Sequence, residues 1–147
     1  MYEALSTMLN PALASSVLKA KHNLAITARL AHWSVRGQDY YESHLLFERI
    51  YNEAENSTDI LVEVMRSLGY TPTFVEFAGP GGELSAFTRV ELTDLLLERA
   101  ATYYSTLISF RDTLENNPMA VGLVNLLEDL CQTCNVIIYL LSASKGN

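Results

Sequence analysis

The residues that interrupt helices are unevenly spread along this chain, and their placement limits the folds open to it. Four of the seven glycines and two of the four prolines fall between Gly69 and Gly82. Gly and Pro are the costliest residues in a helix interior and the strongest local punctuators of structure. The 147 residues therefore read as long helical runs on either side of one Gly- and Pro-rich connection, without repeats or low-complexity tracts.

The runs carry their own start and stop signals. Asn10 is a candidate cap ahead of Pro11 at the first helical position, and Gly37 is a natural stop. Between them Leu13, Val17, Ala20, Leu24, Ala31 and Val35 keep helical spacing. Asp39 and Glu42 form a capping-box pattern for a second helix that continues without Gly or Pro to Leu68. At about 1.5 Å per residue that helix is ~45 Å long. "GYTPTFVEFAGPGGELSAF" reads as the crossover, with one short helical turn expected near Glu83 to Phe87. Thr88 and Glu91 offer a capping box for a third helix reaching about Leu114, and Asn117 with Pro118 opens a fourth that ends near Lys145 and Gly146. Two hairpins joined by one long connection predict an all-α, ferritin-like four-helix bundle with its long crossover between helices 2 and 3, a single domain over residues 1–147.

Composition excludes several functions. With 49% hydrophobic and 18% charged residues the chain reads as globular. A net charge of −7, with Lys145 the only cation after Pro118, argues against DNA binding, which draws its affinity from Lys and Arg on phosphates. No apolar run approaches the ~20 residues of a membrane span. Glu3 and the lack of an early basic segment argue against a leader. Two cysteines, Cys131 and Cys134, suit a reducing cytoplasm.

The second helix carries the informative geometry. Phe47, Ile50, Ala54, Ser57, Leu61, Val64 and Leu68 gather on one stripe, which must face the core. His44, Glu48, Tyr51, Glu55, Asp59, Val62, Glu63 and Arg66 gather roughly opposite. A solvated charged face is the plain reading of such a stripe. Tyr41, Tyr51 and Val62 on it suit a partner surface better, and His44/Glu48 and Asp59/Glu63 are i,i+4 pairs that each aim at one small volume. The pairs lie ~22 Å apart along an unbroken helix, too far for one chain to combine. An antiparallel copy removes the difficulty, since opposing residues i and 107 − i brings 44 to 63 and 48 to 59 together, and twofold pairing is the commonest oligomer symmetry.

In a hairpin turning near residue 38, His32 lies level with His44. His32, His44 and Glu48 of one chain would then confront Asp59 and Glu63 of the other, making two sites per dimer. Mixed imidazole and carboxylate ligands suit Fe(II) or similar metals, whereas all-oxygen sets favour Mg or Ca and thiolates favour Zn. His22, without matching acidic neighbours, reads as structural.

"HWSVRG", "HLLFE" and "DILVEVMRSLG" together resemble the Dps family of ferritin-like mini-cages over about Leu30 to Gly69. The resemblance implies that His32, His44, Glu48, Asp59 and Glu63 form an inter-subunit ferroxidase centre for two iron ions, with Trp33 nearby as a redox neighbour or a packing residue. It also implies a twelve-subunit shell that oxidises Fe(II) with hydrogen peroxide or oxygen and stores ferric mineral, protecting against oxidative stress. The chain departs from the family pattern in three places. Glu48 stands where Asp is usual, Val64 replaces a common Arg, and "ENNPMAV" replaces a "GD-x-x-T" pattern before the last helix.

Two features remain outside that pattern. "CQTC" has no second CxxC and no neighbouring histidine, so packing is favoured over metal capture. Glu115, Glu128 and Asp129 read as a solvated face, with cation guidance as the minor reading. The competing function is a non-catalytic, metal-binding helical-bundle oligomer with a structural or interaction role.

Overall fold

The computed structural model describes residues 9–146. Glu3, on which the argument against a leader rests, lies outside the described residues. Helix α1 spans Pro11–Ser34, started as expected by Asn10, whose side chain accepts from the Leu13 N–H at 3.1 Å. Ala14, Val17, Lys21, Leu24, Ala28 and Ala31 form its buried stripe, the alanines allowing close approach of the neighbouring helices.

The second rod differs from the expected unbroken helix. It consists of α2, Tyr40–Glu55, and α3, Thr58–Ser67, separated at Asn56 and Ser57. Asn56 is extended, with ψ 141°, and Ser57 takes a left-handed φ of 70°. Neither Gly nor Pro marks the site. Asn, Ser and Thr hydrogen-bond readily to local backbone, and the Thr58 hydroxyl donates to the Glu55 carbonyl at 2.8 Å. The interruption changes the buried phase downstream, so Leu61, Met65 and Leu68 face the core while Val64 and Ser57 are only half-buried. The expected cap of α2 is also different, because Asp39 is left-handed at φ 59° and its side chain caps nothing. With Gly37 at φ 89°, it makes the tight reversal between α1 and α2.

In the crossover the short helical turn lies at Phe74–Phe77, earlier than expected, and only a single turn closes from the Phe87 N–H to the Leu84 carbonyl at 3.1 Å. Thr73 and Glu76 form the capping box that selects the earlier position. Glu76 is buried and accepts from the Tyr70 hydroxyl and the Thr73 N–H and hydroxyl. Burial alone would raise its carboxyl, but these donors hold it below the usual range.

Helix α4, Arg89–Leu114, begins with the expected Thr88/Glu91 box. A 3₁₀ turn at Pro118–Ala120, capped by Asn117, leads into α5, Val121–Ser144. Around the bundle α1 packs on α2 and α4, and α5 packs on α4 and on both halves of the second rod. The chain is thus an all-α four-helix bundle whose crossover lies along α1. Phe47, Ile50, Tyr103, Leu107, Phe110 and Ile137 fill its interior. The stretch Pro118–Ser144 is long and apolar enough to cross a membrane by length and composition, with mean hydropathy 1.3. Its Leu123, Leu127, Cys134, Ile137 and Leu141 stripe is nevertheless inside the bundle.

Candidate metal centre

The α1–α2 reversal places His32 and His44 side by side, as their positions about the turn require. The rings stack with centroids 3.7 Å apart and planes 17° from parallel. Each Nδ1 lies 2.7 Å from the backbone carbonyl of the other histidine. A carbonyl can only accept, so both Nδ1 atoms carry a proton, and in the neutral rings it is Nε2 that presents the lone pair. Reciprocal bonds of this kind fix ring orientation as well as tautomer, which is what outer-shell partners do for metal-ligating imidazoles.

Glu48 joins this pair from one turn further along α2, with its Oε2 3.9 Å from His32 Nε2. His32 is buried, whereas His44 and Glu48 are half-buried and open to an approaching ligand. Tyr40 stacks on His44 with centroids 5.0 Å apart, and its hydroxyl lies 3.4 Å from His44 Nδ1. Of the five expected ligands, the structure thus places three close to one another in pairs, His44 stacked on His32 and Glu48 beside His32, without gathering them into a formed three-ligand group.

Asp59 and Glu63 are not brought to them. Both are exposed on α3, beyond the helix interruption. Among the described residues no three His, Cys, Asp or Glu side chains of one chain group as a metal site. An open hollow of about 730 Å³ lies along the second rod at the interruption, lined by Tyr51, Asn52, Glu55, Ser57, Asp59 and Val62 among others.

Trp33 is 64% exposed, so a packing role within one chain does not account for it. The Arg29 guanidinium lies 5.3 Å from the Trp33 ring centroid and 4.1 Å from that of Tyr51, linking the two aromatics beside the histidines. His22 packs edge-on against Phe77 at 5.6 Å, in keeping with its structural reading. Cys131 and Cys134 are buried free thiols. Burial pushes Cys134 up to about 12, and its Sγ donates to the Ala100 carbonyl at 3.8 Å. Glu115 and Glu128 pair with Arg111, at 3.7 and 3.0 Å, so that part of the acidic face is internally compensated.

Three residues near this arrangement escape a reading by motif. Tyr40 and Arg29 stand four positions before His44 and Trp33, a spacing that marks helical neighbours without saying that they touch. Lys21 is the third. It occupies a core position of the α1 stripe, where a cation is out of place, and its Nζ donates to the Ala54 and Asn56 carbonyls at 2.5 and 2.7 Å.

No protein-family model and no curated protein sequence matches the chain. Solved structures do match its fold. The chain is similar to a Dps from Thermosynechococcus elongatus, with TM-score 0.80 and 16% identity over 98% of this chain and 96% of that one. A Dps protein from Bacillus brevis aligns with TM-score 0.77 and 18% identity over 97% and 95% of the two chains. Dps from Microbacterium arborescens, solved in a high iron form, aligns with TM-score 0.77 and 16% identity over 99% and 95%. The fold is that of the Dps four-helix bundles.

Proposed function

We propose that this chain oxidises Fe(II) and sequesters ferric iron at sites shared between two copies of itself, as a single ferritin-like domain working in the cytoplasm. The observation that carries the reading is the histidine pair, each ring held through Nδ1 so that a neutral ring presents its Nε2, with Glu48 beside His32. Asp59 and Glu63 of the partner subunit complete the set. The donors suit iron as the substrate, since neutral imidazoles accept Fe(II) and ionised carboxylates offset the added charge of Fe(III). Two Fe(II) ions per site each give up one electron, and one hydrogen peroxide accepts both. Its O–O bond breaks and two protons are taken up, leaving two waters and no hydroxyl radical.

The exposed Trp33, Tyr41, Leu45 and Ile60 support an interface along this side of the bundle. Pairing about a twofold axis, within a twelve-subunit shell, supplies the second half of each site; oxygen is the alternative oxidant. The acidic surface gives DNA no electrostatic purchase.

Anaerobic Fe(II) titration followed by peroxide addition tests the reading, with native mass measurement giving the assembly state. Saturable binding near two Fe(II) per subunit and a rapid ferric absorbance are expected. Binding without turnover or mineral would replace this reading with a metal-binding bundle of structural role.

A further inference from the structure

The second rod breaks without Gly or Pro, at a run of Asn, Ser and Thr that only favours local bonding, and a group from α1 fills the break. A continuous helix would bond the Thr58 N–H to the Ala54 carbonyl and the Ile60 N–H to the Asn56 carbonyl. Instead, both carbonyls accept from Lys21 Nζ, and the first amide of α3 with a helical acceptor is that of Leu61, on Ser57, at 3.0 Å. Lys21 is 2% exposed, so these carbonyls are its means of burial, and it in turn replaces the amide donors they have lost. A cation at the carbonyl end of α2 also complements the helix dipole.

We infer that Lys21 is a positioning residue, whose grip on the Ala54 and Asn56 carbonyls keeps the rod interrupted and so sets Asp59 and Glu63 relative to His44 and Glu48. The consequence for catalysis rests on the proposed function; the grip itself does not. Straightening the rod would remove two residues of non-helical backbone from between the ligand pairs, turning and shifting α3 against α2. The matching of one copy's α2 pair with the other copy's α3 pair would then be lost. Burial lowers the Lys21 amine to about 8, and the neutral form still has two N–H donors for two carbonyls, so the grip survives its deprotonation.

Amide hydrogen exchange on the wild-type assembly is the first test, because it needs no variant. Fast exchange at Thr58, Asp59 and Ile60 between protected flanks is expected; protection at all three would mean a continuous helix and would overturn the inference. In Lys21→Met the freed carbonyls should capture the Thr58 and Ile60 amides and protect them. The initial rate of ferric absorbance should fall by about tenfold or more, as misplacement of a reacting group by an ångström commonly does, with assembly retained. Adding Ser57→Gly, which eases the left-handed backbone, should restore part of that rate. Newly protected amides with an unchanged rate would refute the positioning role and leave the ferroxidase reading standing. A wild-type chain that does not oxidise Fe(II) would end the ferroxidase reading and the catalytic part of this one, while the amides alone would decide the grip.

Discussion

The two ends of the second rod treat their charged side chains differently. At the α2 end, His44 and Glu48 meet a neighbour in their own chain, His32, and the imidazoles are held through the backbone at 2.7 Å. At the α3 end, Asp59 and Glu63 stand exposed, and among the described residues neither belongs to a metal-ligating cluster. In the proposed site, one half is organised by a hairpin, and the other would be supplied by a second copy of the chain. A tight reversal fixes relative position locally, because few dihedrals intervene between the residues it joins. Past the break at Asn56 and Ser57, position depends on what holds the break.

Mixing two inactive variants is the sharpest way to break this comparison. His44→Ala and Glu63→Ala should each lower the initial rate of Fe(II) oxidation at least tenfold. Dissociated and reassembled together, they should recover about a quarter of the wild-type rate, because half the random pairs contain one intact site of two. No recovery, with mixed assembly confirmed by mass, would show that the two halves do not meet across copies.

Packing beneath the organised half gives the next largest effect. Phe47 lies between His44 and Glu48 in sequence and is fully buried. Phe47→Ala should cost about 3–5 kcal/mol of stability, read as a lower denaturant midpoint. Glu63→Gln, on the exposed half, should change the midpoint by no more than about 0.5 kcal/mol while still lowering the oxidation rate.

Lys21 divides the halves and adds a pH signature. Its folded value of about 8 lies below its ordinary 10.5, owing to burial, partly opposed by Glu55 and Cys134. The unfolded chain thus binds more protons between these limits, and stability rises with pH across that window. The gain is lost as pH falls back to about 8, a change of about 3 kcal/mol at most. Denaturant midpoints of wild type and Lys21→Met from pH 7 to 10.5 should converge or cross accordingly; parallel curves would show that the amine is not desolvated. The smallest effect is that of Ser57→Gly alone, which should stabilise the interrupted form by at most about 1 kcal/mol through its positive φ.

Much of this architecture is legible in the amino-acid sequence. Thr88/Glu91, Asn10 and Asn117 announce helix starts because capping is a matter of a few adjacent residues. His32 and His44 can be paired because a short turn relates them by simple counting. The break at Asn56 is not announced this way, because neither Gly nor Pro stands there and Asn, Ser and Thr also occur inside helices. The same break moves the buried position from Val64 to Met65. Lys21 in the α1 stripe is the available signal, a cation at a core position 33 residues from the carbonyl it serves.

By itself, the order of amino acids determined the helical runs, the long connection, and the spacing of the His44/Glu48 and Asp59/Glu63 pairs, because periodicity and capping are local properties. Only the tertiary structure decided which imidazole nitrogens meet the backbone and where the rod is cut. Both depend on side-chain donors reaching backbone carbonyls on another helix, and those contacts exist only once the helices have packed.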